Sequence, residues 1–477
     1  MMNKLNYINI GDNGTFKESG QVKSFPEDVD LIFEHLRNNE IRNITVHVHG
    51  GLVNEKSGMA VAKMMTPVYS EVGSHPITFV WESGLFETIE DRIMTIHKTK
   101  IFKWILKKAA KVVAKKYGLS IDGKGGNDIK DIDIEKELEK EEPFAFLDAM
   151  DEGTRGGLFY NSIEELEMDK LSFENEIRKE AQNDPEFEEL IASDTDGILL
   201  FSEDIKNDIN DEASRGWGTL LVTLGKVTWR IVKRFVQKRD HGGMATIFEE
   251  LLRELYIDDL GAWVWDGMKL KAKEMWNSNT GLSGDNLHAG RYFFGQLEDY
   301  INENPSTKVN LVGHSAGAIV ICHFLNLVVS ENRNCSFETI SFLAPACKVE
   351  LFNSHIVDNS SKFKRFRMFT MSDHYETRDH LLGKIYPRSL LYLISGFLEN
   401  GYDEYILGLE RHIEAVKPYN KPELQKANEF IYSPSEERIV FSVTNTTAPN
   451  GKRSESKKHG DFDNDPATQQ SLQTIIR

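Results

Sequence analysis

Cysteine is nearly absent from this 477-residue chain: Cys322, Cys335 and Cys347 are the whole supply. An odd, sparse set is poor material for a disulfide framework and fits a reducing compartment. Positive charge is scarce as well. Lys and Arg number 57 against 75 Asp and Glu, for a formal net charge of −18 and a sequence pI near 5.3. That balance excludes a general nucleic-acid binder and leaves room only for local basic patches. The opening stretch, MMNKLNYINIGDNG, lacks the apolar core of a signal peptide, so the expected location is cytoplasmic. No internal repeat and no long Pro/Ser linker interrupts the chain. What remains is 40% hydrophobic residues, enough for a sizeable core, on a length that an elaborated α/β fold reaches with insertions.

One segment, residues 309–329, carries no Asp, Glu, Lys or Arg and is long enough to cross a bilayer. Its polar content (Asn310, His314, Ser315, His323, Asn326) and a change of period midway argue otherwise. VNLVG reads as a buried strand; AIVICHFLNLVV places Ile321, Phe324, Leu325 and Val328 at helical spacing. Between strand and helix stands Gly313-His314-Ser315-Ala316-Gly317. A G-x-S-x-G in that context predicts a sharp turn that exposes the serine hydroxyl at the sheet's carboxyl edge, with glycines where neighbouring backbone passes close. The bland alternative is an ordinary Gly-rich turn.

Upstream, NITVHVHGGLVNE reads as a strand ending in His49-Gly50-Gly51-Leu52. Glycines there let backbone N–H groups approach a developing oxyanion. His47 and His49 also form an H-x-H pair, but no third ligand cluster lies nearby in sequence, so a metal is not expected.

The two motifs, HGGL at 49–52 and GHSAG at 313–317 in that order, resemble the α/β-hydrolase superfamily, and its lipase/esterase branch most of all. The resemblance implies an α/β-hydrolase fold, a mostly parallel sheet with flanking helices, and a Ser–acid–His triad in chain order. Strands are expected in ITVHVHGG, PITFVWES, the run before Ser315, FETISFLAPAC, FKRFRMFTMSD and ERIVFSVTN. Helices are expected in KSGMAVAKMMTPVYSEV and LHAGRYFFGQLEDYINENP. Ser315 is then the nucleophile. The acid is placed at Asp373, where a strand pattern stops, with Glu376 and Asp379 as rivals. The base is placed at His459, in a long loop before a helix start marked by Asp463, Asp465 and Pro466, with His412 and His374 as rivals. The oxyanion hole falls to Gly51, Leu52 and Ala316. The D-x-D-x-D run from Asp461 mimics a calcium loop but has Pro466 at position six and Leu472 at position twelve, so calcium is set aside.

Residues 1–84 and 285–477 are thereby the two parts of a hydrolase core, and residues 85–284 a large, mostly helical inserted cap. Two of its helices carry basic stripes: Lys103, Lys107, Lys111 and Lys115, then Lys226, Arg230, Arg234 and Lys238. Like charges four residues apart oppose a helix. The acidic runs DIKDIDIEKELEKEE and EELEMDKLSFENE are the expected neutralisers; an anionic lipid surface or a protein partner are the alternatives. The Gly-rich DGKGGND lacks phosphate-loop spacing and reads as a turn. Trp104, Phe144, Phe146, Trp217, Trp263 and Trp265 offer an acyl site, though a plain core role ranks above it. The expected activity is hydrolysis of small-molecule or lipid carboxylic esters through an acyl-enzyme, without metal or organic cofactor. An amidase, peptidase or thioesterase of the same fold, or a non-catalytic binding module acting through the insert, are the competing expectations.

Overall fold

The structure, a computed structural model, describes residues 2–51, 54–81, 86–116, 120–121, 131–132, 134–145, 163–185, 187–210, 218–256 and 262–477. The chain divides into two compact units. The first comprises Met1–Phe86, Trp263–Asp379 and Tyr405–Arg477; the second, Glu87–Ala262 and His380–Glu404.

The first unit is built on a seven-stranded, all-parallel sheet. Its strands are β1 (Tyr7–Ile10), β2 (Asn43–Val48), β3 (His75–Trp81), β4 (Lys308–His314), β5 (Phe337–Leu343), β6 (Phe363–Met371) and β7 (Ile439–Ser442), in the spatial order β1-β3-β2-β4-β5-β6-β7. The helices used below are α1 (Pro26–Asn38), α2 (Glu55–Ser70), α3 (Lys100–Lys116), α4 (Lys170–Gln182), α5 (Gly218–Val236), α6 (Gly243–Leu255), α7 (Ala289–Glu303), α8 (Gly317–Ser330) and α9 (Pro466–Ile476).

Alternation along β3 shows why helices cover both faces. Phe79 packs edge-on against Phe293 of α7 and stacks on Trp276, while its neighbour Val80 packs with Ala62 of α2. Successive side chains on a strand point to opposite faces, and a parallel sheet buried on both reads as nearly continuous hydrophobics. Met65, Val68 and Tyr69 of α2 join Val312, Leu343, Phe369, Val440 and the Leu472, Ile475 and Ile476 of α9 in one core cluster. The uncharged run 309–329 is thus β4 followed by α8, buried for the reason inferred from its change of period. Among the described residues no helix is long and apolar enough to cross a membrane.

Order reverses between β2 and β4. From β2 the chain passes to β3 on one side, and from β4 to β5 on the other, so the carboxyl ends of β2 and β4 flank a topological switch point, where open α/β sheets bind ligands.

The division of the chain differs from the boundaries drawn on sequence in two places. Residues 263–284 go with the sheet, because Trp276 stacks on Phe324 of α8 with ring centroids 4.3 Å apart and donates its indole N–H to the Val320 carbonyl. His380–Glu404 goes with the helical unit, because it supplies partners to a buried charge cluster there. Tyr386 donates to Glu249, and Asp403 accepts from Arg239 and faces His241 at 3.1 Å. Arg234, wholly buried, bridges Glu249 and Glu250 of α6.

Within that unit two members of the α3 stripe, Lys111 and Lys115, meet an acidic side chain of the same chain that lies just beyond the expected acidic runs. Glu180 of α4 lies 3.1 Å from Lys111 and 2.5 Å from Lys115; Lys116 reaches Asp169 and Glu176. The second stripe is handled differently: Arg230 pairs with Glu254, and Arg234 with Glu249 and Glu250, all on α6. Trp104 stacks on Phe187 and Trp265 is buried, whereas Trp263 is 63% exposed. Phe146, Trp217 and the DGKGGND segment lie outside the described residues.

Candidate active site

Parallel strands bring their carboxyl ends to one edge of the sheet. β4 delivers Ser315 there, β2 delivers His49 to Gly51, and the loop after β7 returns His459 to the same edge. Ser315 sits between the end of β4 and the start of α8 with φ of +51°. That is left-handed backbone in a residue with a Cβ, a conformation costing about 1–3 kcal/mol unless its surroundings impose it. Here they do: the Ser315 N–H donates to the Leu343 carbonyl at the end of β5, and its carbonyl accepts from Ala346 at 3.0 Å.

The glycines around the turn are there for space. A Cβ on Gly317 would run into the Val48 carbonyl oxygen, and one on Gly313 would lie 2.8 Å from Ile321 Cδ1. A Cβ on Gly51 would lie 2.8 Å from that of Ala316 and strike the Met268 sulfur; one on Gly50 would lie 3.3 Å from Ser315 Cβ. The backbone after β2 therefore passes directly against the elbow. Leu52, the remaining residue expected at an oxyanion hole, lies outside the described residues; Ala316 is the residue that caps α8.

His459 Nε2 is 2.9 Å from Ser315 Oγ, and both residues are buried. Burial, with the neighbouring His314 charge, pushes the His459 imidazole down to about 3, so it stays neutral in the neutral range. A neutral His459 with a free Nε2 lone pair accepts a hydrogen bond from the Ser315 hydroxyl, which leaves the ring proton on Nδ1. Nδ1 is buried and has no hydrogen-bond partner among the described residues.

The three carboxylates considered for the acid therefore do not hold the ring. Asp373, the expected acid, begins a four-residue helix, Asp373–Glu376, points toward Arg411 Nε at 3.9 Å and donates its backbone N–H to Glu410. This departs from the expectation for a plain reason: the chain turns into that helix where β6 ends, which carries Asp373 away along its first turn. Glu376 is fully buried. Asp379 Oδ2 accepts the backbone N–H of His459 at 2.8 Å and so grips the residue rather than its ring. Of the rival bases, His412 is buried and accepts the Ile406 N–H, and His374 is exposed beside Arg378.

Two residues that sequence reasoning did not assign complete the surroundings. His314 shares the face of Val312, whose register partner on β2 is His47. Both histidines meet Asp463, which precedes α9. Asp463 Oδ2 is 2.7 Å from His314 Nδ1, and Oδ1 is 3.6 Å from His47 Nε2. His314 Nε2 donates to the His459 carbonyl at 3.0 Å. Burial opposes charge on His314, but Asp463 outweighs it and lifts that imidazole above its ordinary value. Burial likewise opposes the Asp463 carboxylate, yet His314 holds it down to about 2. His47, hydrogen-bonded to Tyr69 Oη, is lowered by burial. His49, lowered to about 4 by burial, accepts the Trp81 N–H on Nε2 and donates through Nδ1 to the Gly50 carbonyl. The H-x-H pair is thus used within the protein, and no group of three or more His, Cys, Asp or Glu among the described residues is set to hold a metal. The acidic run after His459 divides its work: Asp463 takes the histidines, and Asp465 caps α9 by accepting from Ala467 and Thr468. A signal for His314 and Asp463 existed in GHS and HGDFD, but nothing in spacing says that they meet.

No family model, no curated protein and no solved structure matches this chain.

Proposed function

We propose that this protein is a serine hydrolase of α/β-hydrolase type that cleaves carboxylic esters through an acyl-enzyme. The observation that carries the reading is the Ser315–His459 contact at 2.9 Å, made by a serine in left-handed backbone at a strand-to-helix turn. In this reading His459 takes the Ser315 proton as Oγ attacks the ester carbonyl, then returns it to the departing alcohol. Water repeats the cycle on the acyl-enzyme and releases the acid. The amides of Ala316 and the Gly50–Gly51 backbone, which passes within contact of the elbow, are the donors for the oxyanion, with Leu52 beside them in sequence. The strand order supports the reading by setting Ser315 and Gly51 on either side of the switch point.

The test is labelling with a fluorophosphonate probe and mapping of the modified peptide, followed by an ester panel. Label on Ser315, lost in Ser315→Ala, supports the reading. A folded protein with no label at Ser315 defeats it. Preference for amides or thioesters over esters redirects the substrate class and keeps the mechanism.

A further inference from the structure

The base of this site is held by its backbone rather than by its ring. Asp379 takes the His459 N–H, His314 takes the His459 carbonyl, and no carboxylate meets Nδ1 among the described residues. The work of fixing the imidazole, ordinarily asked of a triad acid, therefore needs another source.

His314 has the chemistry for it. Its Nε2 faces a backbone carbonyl, which only accepts, so Nε2 carries a proton. Its Nδ1 faces a carboxylate at 2.7 Å, which for an ionised Asp463 also only accepts. An imidazole with two acceptors is an imidazolium. Its ring centroid is 5.6 Å from that of His459, in a buried setting where a unit charge at that range is strongly felt.

We infer that His314 and Asp463 form a fixed ion pair that positions His459, and that the His314 cation offsets the Asp463 carboxylate so that the His459 imidazole stays neutral and free to accept a proton. The inference rests on the serine-hydrolase reading for its catalytic meaning, and on geometry alone for the ion pair. Among the described residues, the groups that face the pair are His47 and His49 from β2, Tyr69 from α2, Ser315 from the elbow, and Asp379, Asp461 and His459 from the loops. Of these His47 and His49 are lowered, mainly by burial, and Tyr69 is raised, so none of the three carries charge near neutrality.

Charge arithmetic gives a test that a merely structural role does not pass. His314→Gln keeps a side-chain donor but leaves the Asp463 carboxylate unbalanced beside His459, which favours the protonated base. Asp463→Asn removes both charges together, since a His314 without its carboxylate returns to neutrality. The double variant is also neutral. The rate of fluorophosphonate labelling of Ser315 is followed against pH in the full-length protein. Its acid limb should move up by about one to two pH units in His314→Gln. It should return close to its original place in His314→Gln/Asp463→Asn, even if the absolute rate does not recover. Equal acid limbs in wild type and His314→Gln, or a shift that the second substitution fails to reverse, would overturn the inference.

Histidine-selective ¹⁵N NMR reads the same quantities without any reaction. A doubly protonated histidine signal present in wild type at pH 7.5 should vanish in His314→Gln; His241, whose ring nitrogens also face two carboxylates, is told apart because its signals do not respond to that substitution. The His459 titration, assigned through His459→Gln, should move upward in His314→Gln. Those two results stand or fall even if Ser315 proves unreactive, so failure of the hydrolase reading and failure of the ion pair are told apart. The absence in wild type of any doubly protonated histidine signal that is lost in His314→Gln would overturn the inference directly.

Discussion

His314 donates to the backbone carbonyl of His459, 3.0 Å away, so the residue before the candidate nucleophile grips the residue that touches it. Ser315 and His459 are therefore locked from both sides and should behave as one unit. Ser315→Ala is expected to leave the fold intact and lower ester turnover by about 10⁴-fold or more. His459→Ala should cost nearly as much, and the double variant little more than either, because a missing nucleophile no longer needs a base. Steady-state kinetics on the purified variants measure this. Additive losses would show that the two residues act independently.

Asp379 and Asp373 are separated by the same measurement. Asp379 accepts the His459 N–H, a charge-assisted hydrogen bond in a half-buried place, and bonds of this kind contribute about 1.5–3 kcal/mol. Asp379→Ala should lower kcat about 10- to 100-fold, and Asp379→Asn, which keeps an acceptor oxygen, should cost less. Asp373→Asn should stay within about threefold of wild type, since its carboxylate is directed at Arg411. A severe loss in Asp373→Asn with a silent Asp379→Ala would return the orienting role to Asp373.

Gly317 and Gly51 differ in what a methyl group would meet. At Gly317 it collides with the Val48 carbonyl, part of the sheet, which cannot step aside. At Gly51 it strikes the end of the Met268 side chain, which can turn, and lies 2.8 Å from Ala316 Cβ. Gly317→Ala should destabilise by about 1–3 kcal/mol and lower the melting temperature. Gly51→Ala should melt closer to wild type yet label more slowly at Ser315, because the backbone beside the elbow is displaced. Equal melting temperatures for Gly317→Ala and wild type would contradict this packing.

Acid should weaken the fold through its buried histidines. His47, His49 and His459 have imidazoles lowered on folding, His49 to about 4 and His459 to about 3, against about 6.5 in the unfolded chain. Below about 6.5 the unfolded state binds more protons than the folded one, so the stability these groups contribute at neutral pH drains away as pH falls toward their folded values. His314 has the opposite sign, being raised: its contribution is present at low pH and is lost on going up. Asp463 contributes above about 4 and loses it only toward about 2. Three lowered histidines at this site against one raised, joined elsewhere by His75, His97, His288, His323 and His355, which burial also lowers, predict a melting temperature that drops from pH 7.5 to pH 4.5. A flat or rising profile across that interval would refute the assignment of these rings as neutral.

Much of the sheet was legible because its strands are bounded apolar runs. β2 through β7 and the helices α2, α7, α8 and α9 fall on the stretches whose period or flanking residues marked them. β1 was not marked. Tyr7–Ile10 is four residues long with Asn9 in its middle, and it is buried because Asn9 finds partners in Ser24, Val22 and Glu55, three contacts invisible in a local pattern. The elbow was legible from Gly313, Ser315 and Gly317 because sterics at a tight turn select residue types at fixed spacing. The carboxylates were not. Which of Asp373, Glu376, Asp379 and Asp463 approaches His459 depends on how two loops fold back over the sheet edge, and a run of acidic residues in a loop carries no period. His314 stands in the sequence only as the variable position of a motif, since its partner is 149 residues away.

The basic stripe on α3 gives the last test, because a partner of Lys111 and Lys115 is now named. Glu180 sits within 3.1 Å of both Lys111 and Lys115 and 4.0 Å from Lys108, so one carboxylate answers several like charges that would otherwise oppose the helix. Burial alone would raise Glu180, but the lysines overcome it and hold the carboxyl below its ordinary range. Each pair is partly exposed and is expected to contribute only about 0.2–1 kcal/mol, less in salt. Glu180→Lys turns the attraction into repulsion and should speed limited proteolysis between α3 and α4. Salt then separates electrostatics from packing. Raising it to about 1 M shortens the screening length to about 3 Å. In wild type that removes an attraction and should speed cleavage; in Glu180→Lys it removes a repulsion and should slow it. Salt effects of the same sign in both proteins would show that the helices are held by their apolar faces alone. Co-sedimentation with anionic vesicles completes the comparison. Wild type, with these lysines occupied, should stay in solution, and binding that salt reverses would mean that lipid phosphates compete with Glu180 for the stripe.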